Sequence, residues 1–344
     1  MSKRSWVIGA LFVGGLSAPA EAAIRSVPQI YRSIQAAVDS AQPGDVVEVG
    51  PGSYCGATID VRVDLIGHDT QIVGCDEGPV LFGDLRVGFY LPGADGTSGA
   101  SGTRIEGFLF DGRGISDDNL DPLALGVFAR FADDVQIERN QFLGGVQAIT
   151  NTAGDRWRIS ENHIEALTLF DCGDDGLCAG GDGIVVQIAR DDIAAPGGPA
   201  APVNRPEGNI VVDNHVAGAI PDGFDEFSMA GIFVLAADNT LIARNRLVIP
   251  DNPAAAASGD GVLISNVCCD EPAILPGARN AVVIENEGRG SQFAVVVEGT
   301  GGANTHGLIL RDDPGAVMLQ GQLVATAGSR RTTRLDHGFR RTLF

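Results

Sequence analysis

The sequence predicts an all-β solenoid, one stack of short strands closed at its N-terminal end by a helix. Three observations carry this. A Gly-led apolar strand followed by an apolar strand ending in Asn recurs from about residue 126. A helix–turn–strand segment, Tyr31 to Tyr54, precedes the strands. Insertions of variable length interrupt the repeat just before or just after its Gly-led strands.

The first residues read as a processing signal. Lys3 and Arg4 precede an apolar run from Trp6 to Leu16, and Ala20-Glu21-Ala22 matches a small-x-small cleavage site. Residues 1–22 are therefore expected to be a secretory signal peptide, which makes the mature chain secreted or periplasmic. The apolar run is too short to span a bilayer, and no later segment is a candidate.

Next comes the cap. Ser33 is placed to accept an amide of the first helical turn, and Ile34, Ala37, Val38 and Ala41 share one face of a helix over about residues 33–41. Pro43-Gly44 turns the chain into the apolar strand Asp45–Val49, and Pro51-Gly52 turns it again. A stack of strands leaves an open apolar end, and this helix has the face to cover it. The segment resembles the N-terminal cap and first coil of right-handed parallel β-helices, the pectin-lyase-like superfamily. The resemblance implies a single-stranded right-handed parallel β-helix over residues 23–328 with roughly ten coils.

The repeat itself starts at Gly126-Val-Phe, Gly145-Val-Gln, Gly183-Ile-Val, Gly231-Ile-Phe and Gly261-Val-Leu. The following strands end at Asn140, Asn162, Asn214, Asn245 and Asn286. Asn has both a donor and an acceptor and tolerates left-handed geometry, so five of them at one inward bend are expected to form an internal ladder. Beyond about Gly328 the strand pattern fades. The tail, residues 329–344, carries Arg330, Arg331, Arg334, Arg340 and Arg341, and either is disordered or folds back on the acidic body.

Charge excludes some partners. The net charge is −20, and −21 without Lys3, Arg4 and Glu21, which argues against nucleic acid and anionic membranes. Six cysteines in a secreted chain point to disulfides. Cys55 and Cys75 are about one coil apart, Cys172 and Cys178 bracket a small loop, and Cys268-Cys269 are vicinal; six cysteines allow fifteen pairings.

Superfamily resemblance implies chemistry on acidic polysaccharides by elimination, hydrolysis or epimerisation. Many relatives use a lysine base, and Lys3 is the only lysine here, which disfavours that mechanism. Asn151-Thr152 and Gly173-Asp174-Asp175 echo fragments of the polygalacturonase-like pattern, but Ala153 stands where that family has Asp, and its Gly-His-Gly has no counterpart at the expected distance.

Taking Val127, Val146, Ile184, Ile232 and Val262 as inward, the outward floor is Phe128, Gln147, Val185, Phe233 and Leu263, then Arg130, Ile149, Gln187, Leu235 and Ser265. This floor is mostly apolar, either buried under loops or stacking an uncharged ligand. Phe128, Arg130, Gln187 and Phe233 are the expected substrate-binding residues. The acids sit on the rim. Asp174, Asp175 and Asp182 are the candidate catalytic carboxylates, and Asp174, Asp175, Asp222, Asp225 and Glu226 the candidate Ca²⁺ ligands. His163 and His215 each follow a ladder Asn, a pair suited to Zn²⁺ or Cu²⁺ but lacking a third ligand, and so expected to be a polar surface row. Two function classes follow: a carbohydrate-binding or surface/structural module, and a polysaccharide-active lyase, hydrolase or epimerase.

Overall fold

A computed structural model of the chain describes residues 22–94, 97–116, 119–167, 181–189, 204–218, 230–249, 260–265 and 278–289, with the backbone of five later strands between 293 and 335. The expected signal peptide and Cys172, Cys178, Cys268 and Cys269 lie outside the described residues. Among those residues no helix is long and apolar enough to cross a membrane.

The cap forms as its sequence dictates. The helix is Ile34–Asp39, and the Ser33 hydroxyl accepts the Ala36 N–H at 3.2 Å. Ile34, Ala37 and Val38 are buried against the first strands. Strand Ile24–Val27 pairs in parallel with Asp45–Val49, and Asp45 ties the two by accepting from Ala23, Arg25 and Gln42. Those donors hold the Asp45 carboxyl below its usual range, the backbone amides foremost.

From Asp45 onward each coil contributes to three parallel ladders. The first ladder contains Asp45–Val49, Gln136–Glu138, Arg158–Ser160, Ile210–Val212, Leu241–Ala243 and Val282–Ile284. The second contains Gly52–Cys55, Gln141–Gly144, His163–Leu167, His215–Gly218, Arg246–Val248 and Glu287–Arg289. In the second and third coils these two run together as Val63–Val73 and Arg104–Gly112. The third ladder contains Ala57–Thr58, Leu85–Leu91, Leu125–Arg130, Gln147–Thr152, Ile184–Gln187, Ala230–Leu235, Asp260–Ser265 and Phe293–Val297. Among the described residues eight coils are complete, with Ile24–Val27 before them and Leu308–Arg311 and Val317–Leu319 after. In the tail read as losing its strand pattern, Thr333–Leu335 pairs antiparallel with Leu308–Leu310.

The five asparagines stand in one buried column between the first and second ladders. Asn162 Nδ2 donates to the Ile137 carbonyl of the preceding coil at 2.8 Å and to Asn214 Oδ1 of the next at 3.0 Å. Its own Oδ1 accepts the Asn140 backbone N–H and Nδ2 at 3.1 and 3.2 Å. Asn214, Asn245 and Asn286 continue the pattern. The left-handed residue, however, is the one before each Asn: Arg139, Glu161, Asp213, Arg244 and Glu285 have φ between 53° and 59°. The asparagine aims its amide inward, and its preceding neighbour takes the strained geometry with its side chain in solvent. Those outward side chains pair up the stack, Arg244 with Asp213 at 2.7 Å and Arg139 with Glu106.

A second column has a different cause. Gly88, Gly126, Gly183 and Gly231 lie in one row of the third ladder, because the second ladder's core side chains pass over them. A Cβ at Gly126 would lie 2.6 Å from the Phe142 ring, and one at Gly88 2.7 Å from Phe110. In the fourth coil this row holds Ala148, since Gln147 pairs with Leu125 and Ile149 with Val127. Gly145, expected to lead that strand, belongs instead to a Gly144-Gly145 turn with φ of 73° and 88°.

Asn214→Ala removes both ends of a buried exchange with Ile159, Asn162 and Asn245. It is expected to lower unfolding free energy by about 3–5 kcal/mol. Ser53→Ala, which loses one exposed bond to Gln71, is expected within about 0.5 kcal/mol of wild type. Urea melts of the two variants measure the contrast, and equal effects would mean that the column carries no special weight.

Candidate functional site

The loop-rimmed face is the outer surface of the third ladder, and its true register changes which residues line it. Ile149 is fully buried opposite Val127, so the fourth coil presents Thr150 and Thr152 outward where Gln147 and Ile149 were expected. The first outward row is therefore Tyr90, Phe128, Thr150, Val185, Phe233 and Leu263, and the second Arg130, Thr152, Gln187, Leu235 and Ser265.

Over the second to fourth coils the chain covers this face itself. Phe128 is only 5% exposed; the Phe82 ring meets it edge-on at 5.3 Å, and Ile115 and Leu120 add to the same cluster. Phe128 thus lies beneath a cover and is not an open contact. The Arg130 guanidinium lies 5.6 Å from the Phe131 ring centroid. Further along, Gln187, Phe233 and Leu263 keep part of their surface open, whereas Val185, Leu235 and Ser265 are buried. Gln187 Nε2 donates to Thr152 Oγ1 at 3.2 Å, which steadies it beside the Phe233 coil.

Of the candidate carboxylates, Asp174, Asp175, Asp222, Asp225 and Glu226 lie outside the described residues, and with them the whole expected Ca²⁺ set. Asp182 is described. Extending the Ile184–Ile232 register back two residues sets it opposite Ala230, which in turn pairs with Asp260. Two strand spacings, ~9.6 Å, therefore separate the Asp182 and Asp260 backbones. Asp182 Oδ1 accepts the Ala230 N–H at 3.0 Å. The residue is partly open, yet its carboxyl is crowded out of water, and that desolvation pushes its pKa up to about 6 against the pull of the Ala230 amide.

Asn151 has a structural task. It lies in the inward row and is fully buried, donating to the Gly154 carbonyl at 2.8 Å and to Asn209 Oδ1 at 3.1 Å while accepting the Gly154 N–H. The Asn-Thr fragment that echoed a hydrolase therefore closes a turn. An open cleft of about 690 Å³ lies elsewhere, beside Val73, Asp111 and Asp121; its charges are already paired, Arg113 with Asp111 at 2.6 Å and Arg86 with Asp121 at 2.7 Å.

On the outer face of the second ladder, His163 and His215 are direct register partners, as their positions after ladder asparagines require. Their Nδ1 atoms are 3.0 Å apart, and Glu165 supplies the neighbour that the sequence did not show, its Oε1 2.7 Å from His163 Nε2. Glu165 was within reach of sequence reasoning: strand alternation puts i and i+2 on one face. Partial burial, with His163 and Arg246 nearby, lowers the His215 pKa, and Glu165 opposes this. The Cys55–Cys75 bridge joins the first and second coils at the end of their second-ladder strands, with 5.6 Å between Cα atoms.

Solved structures similar to this chain include PfbA, a surface adhesin of Streptococcus pneumoniae, at 14% identity over 86% of this chain and 89% of that one, with a TM-score of 0.49. Alginate lyase from Paenibacillus sp. str. FPU-7 is 14% identical over 83% of this chain and 94% of that one, TM-score 0.37. The A-module of Azotobacter vinelandii mannuronan C-5 epimerase AlgE6 is 16% identical over 83% and 90%, TM-score 0.31. The three parallel ladders make this chain a right-handed parallel β-helix. No protein-family model matches the chain, and no curated protein does. Likenesses this distant speak to fold alone, so function has to be argued from the side chains.

The raised Asp182 pKa carries a sign. Its neutral form is favoured in the native state, so between about pH 4 and 6 the folded chain holds more of this proton than the unfolded chain, and stability falls as pH rises through that window. Asp182→Asn keeps an acceptor for Ala230 and is expected to match wild type at pH 4 and exceed it by on the order of 1–2 kcal/mol above pH 6. Denaturant melts across pH 4–7 test this; parallel curves for the two proteins would contradict it.

Proposed function

We propose that this chain is a secreted or periplasmic binding module that takes neutral carbohydrate on the outer face of its third ladder, around Phe233 and Gln187. The observation that carries the reading is the pairing of openness and chemistry there. In the fifth to seventh coils the partly open floor residues are an aromatic ring, an aliphatic chain and an amide: Phe233, Leu263 and Gln187. A sugar ring has an apolar face that stacks on such an aromatic and hydroxyls that bond to such an amide. The two floor rows contain one charged side chain among the described residues, Arg130. Uronate chemistry calls for cations at the developing enolate, and a single arginine is a poor match for it.

A second reading has one specific support. Asp182 lies at the margin of the same face with a pKa near 6, in the range of a carboxylic acid able to give up a proton near neutral pH. On that reading the chain cleaves or modifies a polysaccharide, and Asp182 is its proton donor.

Binding and product release, measured on neutral and uronate polysaccharides with the same samples, separate the two. Binding of a neutral glycan without product, weakened about tenfold by Phe233→Ala and little by Asp182→Asn, is the expected result. Product release abolished by Asp182→Asn would replace the first reading with the second, and absence of both binding and product would overturn each of them.

A further inference from the structure

The ladder does more than hold the bend, because it also fixes the two residues that follow it. The His163 N–H donates to the Asn140 carbonyl and the His215 N–H to the Asn162 carbonyl, each at 2.9 Å. Both imidazoles therefore rise from rigid backbone on adjacent strands, with ring centroids 4.6 Å apart and planes inclined by 61°. Their Nδ1 atoms face each other at 3.0 Å. Two neutral imidazoles can make that contact only if one Nδ1 carries a proton and the other a lone pair.

Glu165 decides which. Its carboxylate, 2.7 Å from His163 Nε2, accepts a hydrogen bond from that nitrogen's N–H, which keeps the proton there and leaves His163 Nδ1 as the lone pair. A carboxylate on the far nitrogen of an imidazole is the usual arrangement behind a metal-binding histidine, fixing its tautomer and raising its basicity. The three side chains are partly exposed, and their ligand atoms lie within 4.8 Å of one another.

We propose that His163 and His215 bind a divalent transition-metal ion of the Zn²⁺–Cu²⁺ class through their facing Nδ1 atoms, with Glu165 as the positioning carboxylate. The ion takes the place of the proton shared between the rings, and that proton moves from Nδ1 to Nε2 of His215, so that no net proton is lost from the neutral pair. Two metal–nitrogen bonds of ~2.0–2.1 Å at a tetrahedral angle need about 3.3 Å between nitrogens, so the rings open by about 0.3 Å. Water completes the coordination, and the site is open enough to admit it. Imidazole nitrogen selects this class over Ca²⁺ and Mg²⁺, which require oxygen. Arg246 follows His215 in the row and Glu287 follows Arg246, so the nearest cation has an acid on its other side. The site faces away from the third ladder and does not depend on the carbohydrate reading.

Titration of tag-free, oxidised protein with Zn²⁺, Cu²⁺ and Ca²⁺, followed by calorimetry and by electron paramagnetic resonance of the copper form, tests the proposal. One equivalent of Zn²⁺ and of Cu²⁺ is expected to bind, copper more tightly, with a copper spectrum showing two imidazole nitrogens and no competition from Ca²⁺. His163→Ala and His215→Ala are each expected to abolish that site, Glu165→Gln to weaken it about tenfold, and His68→Ala to leave it unchanged. The copper spectrum is read on the wild-type chain, so the test stands even if a variant folds poorly. No uptake of either ion, a spectrum without paired imidazoles, or undiminished uptake in His163→Ala would overturn the proposal.

Discussion

Everything in this molecule is hung from a buried carboxamide at a bend. A coil that turns inward between two strands buries backbone groups that water cannot reach, and an unpaired group there costs about 1–3 kcal/mol. Each ladder asparagine satisfies three parties: the carbonyl of the coil before, its own column neighbours and their backbone amides. The column also makes the strained geometry of Arg139, Glu161, Asp213, Arg244 and Glu285 tolerable, since a left-handed L-residue is held only where its surroundings over-determine it. The network ends at Phe108, whose N–H reaches Asn140 Oδ1 at 3.1 Å. In that part of the stack the interior is held by rings instead, Phe89 on Phe108 and Phe110, and Phe110 stacked on Phe142 at 4.6 Å.

What the sequence disclosed and what it hid follow from the same physics. A constraint that recurs in every coil leaves a recurring residue, so the asparagine column, the cap on Ser33 and the Gly-led third strand are legible. A residue that serves another purpose in one coil breaks the reading. Gly145 looked like a row glycine and is a turn glycine, and the row position is filled by Ala148. That three-residue displacement moved Ile149 from the core to the surface on paper. The bend was also assigned its left-handed residue one place too late, because Asn is the familiar occupant of that region while the actual occupants, mostly charged, can point anywhere into solvent. Non-repeating segments left no trace at all: nothing in a repeat pattern says that Phe82, from a hairpin after the second coil's disulfide, would come down on Phe128.

Chemistry in a solenoid is assembled differently from chemistry in a globular enzyme. Equivalent positions on neighbouring coils meet at strand spacing, so a pair of like residues at one repeat position is already a contact. His163 and His215 become neighbours this way across fifty-two residues of chain. Opposite charges do the same on the outer edges of two bends, Arg156 reaching Asp134 at 2.8 Å ahead of the first ladder and Arg244 reaching Asp213 after it.

The third partner of any such pair has to come from along the strand or from a loop, and the two routes differ in rigidity. Glu165 comes along the strand, two residues from His163, and inherits the fixed backbone of the ladder. Asp182 stands at the entry to its strand, held through a single amide of the next coil. A group placed by the stack is preorganised at no further cost, whereas one at a strand's edge can respond to what binds beside it. The division matches the two proposals: the imidazole pair suits an ion that needs set distances, and the third-ladder face, with its open ring and amide beside a carboxyl of shifted pKa, suits a larger ligand.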